Sequence, residues 1–221
     1  MTATRASLAG AYVGTSGWSY PTWRPGFYPA GTKPEDFLRH YSGRFRTVEL
    51  NTTGYRLPRE ELFTRWAEAT PSGFQFAPKA NAHTRFDAGT FAKRVGLLGE
   101  RLGPIRLLVA SARDEGLLTL LLGSFEPSVL LAFDFRHDSW EGIERDLPAN
   151  AVRVNSLEGQ APFRYVRLRE PPYSESDLLA WAGRLRPLLD DGVRVYCYFR
   201  HEDEPTAPAY ALELLSHLGG G

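Results

Sequence analysis

The chain has 221 residues, 43% hydrophobic and 13% aromatic: enough to bury the core of one large domain or two small ones, and too apolar for a disordered chain. Its 26 basic and 26 acidic residues cancel at neutral pH, which removes a global electrostatic drive toward nucleic acid or membranes and leaves a local charged cleft as the means of recognition. One cysteine, Cys197, excludes an intrachain disulfide, and the N-terminal stretch has no long apolar run, so a soluble, cytoplasmic protein without membrane contact is expected.

Short β-rich runs alternate with helix-like segments along the chain. "YVGT" (12–15) predicts a first strand and "PEDFLRHYS" a helix with Pro34 in its first turn. "TVELN" (47–51) predicts a second strand, and "PREELFTRWAEAT" a second helix with Leu62, Phe63, Trp66 and Ala69 on one face. "FQFAPK" (74–79) and "IRLLVAS" (105–111) predict the third and fourth strands, followed by helices in "DAGTFAKRVGLLGERLG" and "ARDEGLLTLLLGS". After the fifth strand, "VLLAFDF" (129–135), only a short helical piece starts at Trp140. "AVRVNS" (151–156) and "FRYVRLR" (163–169) predict strands six and seven. A helix capped by Ser174 or Ser176 and ended by Gly192 follows, then strand eight, "VRVYCYF" (193–199), and a last helix in "APAYALELLSHL".

Eight strands, mostly followed by helices, predict an α/β fold: a (β/α)8 TIM-like barrel forming a single domain over residues 1–221. A doubly wound open sheet is the rival. Only "LEGQAP" lies between strands six and seven, whereas a parallel crossover needs about a dozen residues, so the sixth helix is expected to be missing or very short. Cys197, inside an apolar strand, reads as a small core residue rather than a nucleophile.

Side chains alternate along a strand, so the apolar face of each meets the helices and the other face carries the polar residues. That second face holds Glu49 and Asn51 on strand two, Lys79 on strand three, Asp134 and Arg136 on strand five, and Tyr165 and Arg167 on strand seven; Arg200 lies just past strand eight. At the C-terminal ends of barrel strands, where barrel enzymes place their sites, these residues are expected to converge on one mouth. Two carboxylates face three cations there, or four with Arg200, and a surplus of cations favours a small phosphate- or carboxylate-bearing ligand. Glu49 and Asp134 are candidate catalytic bases. Lys79 is a candidate to stabilise an anion or form a Schiff base, or simply to pair with Glu49. His83 and His137 sit in loops at the same end, as candidate ligand-binding residues. Neither has a close metal-ligand spacing, so no metal is assigned and the cofactor is left unknown; a divalent ion held by Glu49, Asp134, His83 and His137 from scattered strands is the open alternative. Trp18 clusters with Tyr20, Trp23 and Tyr28 after strand one, as a hydrophobic plug or as a stacking wall for a ring.

The blocks "GTSGWSYPTWRPGFYP", "TVELNTTGYRLP", "FQFAPKA", "FDFRHDSW" and "YVRL" resemble, in order, the signature blocks of the YecE-like family, a domain of unknown function with TIM-barrel-like members. The resemblance spans the chain from Tyr12. It implies that Gly17, Trp18, Glu49, Asn51, Tyr55, Lys79, Arg136, His137, Trp140, Tyr165 and Arg167 are signature positions, which adds Tyr55 and Trp140 to the candidate ligand-binding set. Asp134 stands where that family usually has glutamate, and "VAS", "REPP" and "RH" replace its usual endings of strands four, seven and eight. Three functions fit these readings: an enzyme on a small anionic metabolite, a metal-dependent phosphodiesterase or nuclease on nucleic acid, and a non-catalytic binding or regulatory barrel.

Overall fold

The computed structural model describes residues 7–83, 85–201 and 204–219. Eight strands alternate with helices in the expected order: β1 (Ala11–Thr15), α1 (Phe37–Ser42), β2 (Thr47–Leu50), α2 (Glu60–Glu68), β3 (Gln75–Ala82), α3 (Ala88–Gly96), β4 (Ile105–Val109), α4 (Glu115–Gly123), β5 (Leu131–Phe135), β6 (Ala151–Arg153), β7 (Phe163–Leu168), α5 (Glu175–Asp190), β8 (Arg194–Phe199) and α6 (Thr206–Gly219). Two short 3-10 turns, Asp138–Trp140 and Ile143–Arg145, stand where a helix would follow β5. Residues 154–162, between β6 and β7, contain no helix. β6 is short because the chain turns at Asn155, whose φ of 67° lies in the left-handed region that asparagine tolerates better than most residues. α5 starts on a capping box, in which the Ser174 hydroxyl accepts from the Asp177 amide and the Asp177 carboxylate accepts from the Ser174 amide.

The ladders β1–β8, β7–β8, β3–β4, β4–β5 and β5–β6 are all parallel, as an α/β fold with helical crossovers requires. A closed barrel predicts one continuous ladder. The strands instead fall into two sheets, of order β1-β8-β7 and β2-β3-β4-β5-β6. The chain likewise divides into two compact units, one made of residues 1–48 and 162–221 and the other of residues 49–161.

In the unit that holds both ends of the chain, the loop after β1 packs as a plug. Trp23, Tyr28 and Phe37 are buried, Tyr28 stacks on Phe37 with ring centroids 4.2 Å apart, and the Tyr28 hydroxyl donates to the Trp18 carbonyl. Beneath it lies a polar knot. The Tyr41 hydroxyl accepts from the Thr15 amide and the Thr15 hydroxyl, each at 2.9 Å, and donates to the Thr47 carbonyl at 3.1 Å. Thr47 Oγ1 meets the Tyr198 hydroxyl at 2.7 Å. Burial of these groups pushes the Tyr41 hydroxyl well above the usual phenol range. Gly14 faces this knot, and a Cβ there would come within 2.4 Å of the Thr47 carbonyl oxygen and 2.8 Å of the Tyr41 hydroxyl. Since backbone must then shift, Gly14→Ala is expected to cost about 1–3 kcal/mol in urea denaturation, with Gly73→Asn, at an open positive-φ site, as a milder control.

Cys197 is free and fully buried in β8, and burial raises its thiol well above the usual range, which keeps it protonated and unreactive. Among the described residues, no helix is long and apolar enough to cross a membrane.

Candidate functional site

The unit of residues 49–161 carries four ionisable side chains that its strands bury against one another. Glu49 on β2 is 0% exposed, Lys79 on β3 is 6%, Arg106 on β4 is 3% and Asp134 on β5 is 6%. The register explains the cluster. Parallel pairing sets Lys79 opposite Arg106, and Leu108, two residues on, opposite Asp134, so alternate residues of neighbouring strands project from one face of the sheet.

Arg106 is the hub. Its Nε and Nη2 both donate to Asp134 Oδ2, at 2.8 and 2.5 Å, and its Nη1 lies 3.6 Å from Glu49 Oε1 and 3.4 Å from Asn51 Oδ1. Arg136, whose side chain is 39% exposed, donates from Nη2 to the same Asp134 oxygen at 2.9 Å. Asp134 Oδ2 therefore takes three charge-assisted hydrogen bonds, which fix both guanidinium groups in place. Arg106 was not among the candidates read from the sequence. Its signal is present all the same: it is the one charged residue in the apolar run "IRLLV", on the face opposite Ile105, Leu107 and Val109.

Lys79 is held at its backbone. Thr53 Oγ1 accepts from the Lys79 amide at 2.9 Å and donates to the Lys79 carbonyl at 2.7 Å. The ammonium group lies 4.6 Å from the centroid of the Tyr55 ring, a cation–π contact. β3 runs three residues beyond the expected end at Lys79, to Ala82, which brings in Asn81. Its Nδ2 donates to the Gly54 carbonyl at 2.6 Å, while its Oδ1 is buried and has no hydrogen-bond partner among the described residues, leaving an acceptor for an incoming donor.

Glu49, Asn51, Tyr55, Lys79, Asp134 and Arg136 thus come together with Arg106, as two carboxylates against three cations. The two loop histidines are satisfied locally. His83 Nδ1 accepts from the Arg85 amide at 3.2 Å, and His137 Nδ1 meets the Ser139 hydroxyl at 2.9 Å and the Ser139 amide at 3.2 Å, capping the turn that leaves β5. Among the described residues no three of His, Cys, Asp and Glu gather closely enough to hold a metal ion, so Glu49, Asp134, His83 and His137 are not assembled into a ligand set. Trp140 has no exposed surface: its ring stacks on Phe135 at 4.2 Å and its Nε1 donates to the Ser111 carbonyl. Four further candidates belong to the other unit. Trp18 is half-buried there, Tyr165 is buried with its ring 5.1 Å from that of Tyr198, Arg167 is buried on β7 and Arg200 is exposed just past β8.

The family model for Protein of unknown function DUF72 matches residues 12–221. The chain is 35% identical over 102 residues to the UPF0759 protein YecE of Escherichia coli K12, a segment that is 42% of this chain and 35% of YecE. It is 33% identical over 69 residues to the UPF0759 protein YunF of Bacillus subtilis, 31% of this chain and 23% of YunF. The matched segment thus spans about a third or less of these curated relatives. Crystal structures of DUF72 family proteins share the fold. One from Thermotoga maritima superposes with a TM-score of 0.72 at 24% identity, covering 94% of this chain and 98% of that one. One from Enterococcus faecalis does so with a TM-score of 0.72 at 14% identity, covering 94% and 97%.

Proposed function

The chain belongs to the DUF72 family of proteins of unknown function, and on that premise we propose that it binds a small phosphate- or carboxylate-bearing ligand beside Lys79, Arg106 and Arg136. One observation carries the reading: three cations and two carboxylates are gathered on one sheet face, four of the five buried, with a surplus of one positive charge. Buried ion pairs stabilise a fold less well than apolar packing of the same volume, so a sheet face built this way serves recognition better than stability. An anion there would be attracted in a medium where charge is poorly screened, and Arg136, on the solvent side, would reach it first. In a catalytic version of this reading Glu49 and Asp134 would exchange protons with the ligand while Lys79 held its charge. The fold reading extends in the same direction. β8 lies between β7 and β1, so the last strands pair with the first, as the strand order of a (β/α)8 TIM-like fold requires, and this supports that reading of the fold.

Thermal melts in a panel of phosphate, sulfate and small carboxylates test the proposal. Ligand at about 100 times Kd adds about 2.7 kcal/mol to the stability of the parent protein. Arg136→Ala is expected to abolish that shift while lowering the anion-free stability by no more than about 1 kcal/mol, since its pair with Asp134 is partly solvated. A parent protein whose melting temperature responds to none of these anions would rule the proposal out.

A further inference from the structure

Tyr55 is an exposed aromatic residue on a turn that is anything but loose. It is 81% exposed, the most exposed large hydrophobic side chain among the described residues. The 3-10 turn Thr52–Gly54 that carries it is fastened at each of its last two residues. Thr53 Oγ1 hydrogen-bonds the Leu50 carbonyl and both the amide and the carbonyl of Lys79, and the Gly54 carbonyl accepts from Asn81. Gly54 lies directly on the Lys79 stem, where a Cβ would come within 2.9 Å of Lys79 Cδ. The Tyr55 amide closes the turn onto the Thr52 carbonyl. One face of the ring covers the Lys79 ammonium, and the rest of the side chain is open to solvent. A tyrosine that only capped Lys79 would not need to be held so firmly. A two-torsion aromatic held out in the open by a fastened backbone turn is instead what a stacking partner needs, because only two side-chain torsions have to be ordered on contact.

We infer that the ligand of this site is an anion bearing a planar aromatic or heteroaromatic ring, which stacks on the open face of Tyr55 while its charged group is held by the cations at and beyond Lys79. The inference rests on the anion-binding reading above and narrows it. The choice of a planar ring over a sugar follows from Lys79. A cation under one face of the tyrosine draws π density toward itself and leaves the outer face less negative. That weakens contact with the positive C–H groups of a saturated sugar and favours a stacked π system.

The test compares inorganic phosphate, ribose 5-phosphate and phenyl phosphate by titration calorimetry on the full chain, in the parent protein and in the Tyr55→Phe and Tyr55→Ala variants. Stacking of a ring on an aromatic side chain is worth about tenfold or more in affinity. Phenyl phosphate is therefore expected to bind at least about tenfold more tightly than the other two. Tyr55→Phe should keep that advantage, and Tyr55→Ala should erase it, so that phenyl phosphate and inorganic phosphate bind this variant with equal affinity. Equal affinity for phenyl phosphate and phosphate in the parent protein, or an advantage that survives Tyr55→Ala, overturns the planar-ring inference and leaves anion binding standing. A Tyr55-dependent preference for ribose 5-phosphate overturns it in favour of a sugar. If no probe binds, phosphate included, the anion-binding reading falls and takes this one with it.

Discussion

Asp134→Ala is expected to destabilise the protein by about 3–5 kcal/mol, the cost of removing one partner from a buried ion pair. Asp134 Oδ2 accepts three hydrogen bonds from two guanidinium groups, and Arg106, 3% exposed, would lose the carboxylate that takes both its Nε and its Nη2 donors. Arg136 can turn toward water and Arg106 cannot, so most of the loss falls on Arg106. Urea denaturation measures it, and a loss below about 1 kcal/mol would mean that the network is far better solvated than its burial implies. The double variant Arg106→Met, Asp134→Leu should recover part of the loss, because apolar packing replaces the Arg106–Asp134 pair at little cost while Glu49, 3.6 Å from Arg106, loses that cation. It should also lose anion binding. Stability partly restored without binding is the signature that separates a site from a structural ion pair.

Trp140→Ala is the second large effect, expected at about 3–5 kcal/mol from the cavity left by a fully buried indole. At this chain length each kcal/mol is worth about 2–4 °C, so the melting temperature should fall by roughly 10 °C. The Ser111 carbonyl also loses its indole donor, and Phe135 loses the ring stacked on it. Anion affinity, measured well below the new melting temperature, should stay within a few-fold of the parent value. A variant that kept its stability and lost its ligand would make Trp140 a ligand contact instead.

Trp140 and Tyr55 illustrate how far the sequence can be read. Both stand at signature positions of the family resemblance, and nothing in their local sequence separates them. One is 0% exposed and the other 81%. Burial of an aromatic residue in a loop is decided by what the rest of the chain packs over it, which period and propensity do not encode. Strand faces are a different matter. Alternation placed Glu49, Lys79, Asp134 and Arg136 on one side of their strands; Arg106 links Glu49 to Asp134, and Asp134 in turn accepts from Arg136. Arg106 itself escaped because a lone arginine in "IRLLV" does not disturb an apolar run, although the same alternation rule, carried through that strand, points it at Asp134. The end of β3 escaped for a different reason. "ANA" has weak strand propensity and follows Pro78, and it is the pairing of Asn81 and Ala82 with β4 that keeps it extended. The absent helix between β6 and β7 was legible from connection length alone, because too few residues lie between the two strands to form one.

The unit built from residues 1–48 and 162–221 is discontinuous in the chain, and β1 takes its place in the sheet beside β8. During synthesis the two units therefore differ in when they can form. Residues 49–161 hold every strand of β3-β4-β5-β6 and can pair as they leave the ribosome, while β1, made first, waits with its hydrogen-bonding edge unsatisfied until Arg194–Phe199 has been translated. A ribosome stalled before β8 would thus display an apolar, half-made sheet, and nascent chains arrested between residues 162 and 193 should be the ones that chaperones and proteases bind most strongly.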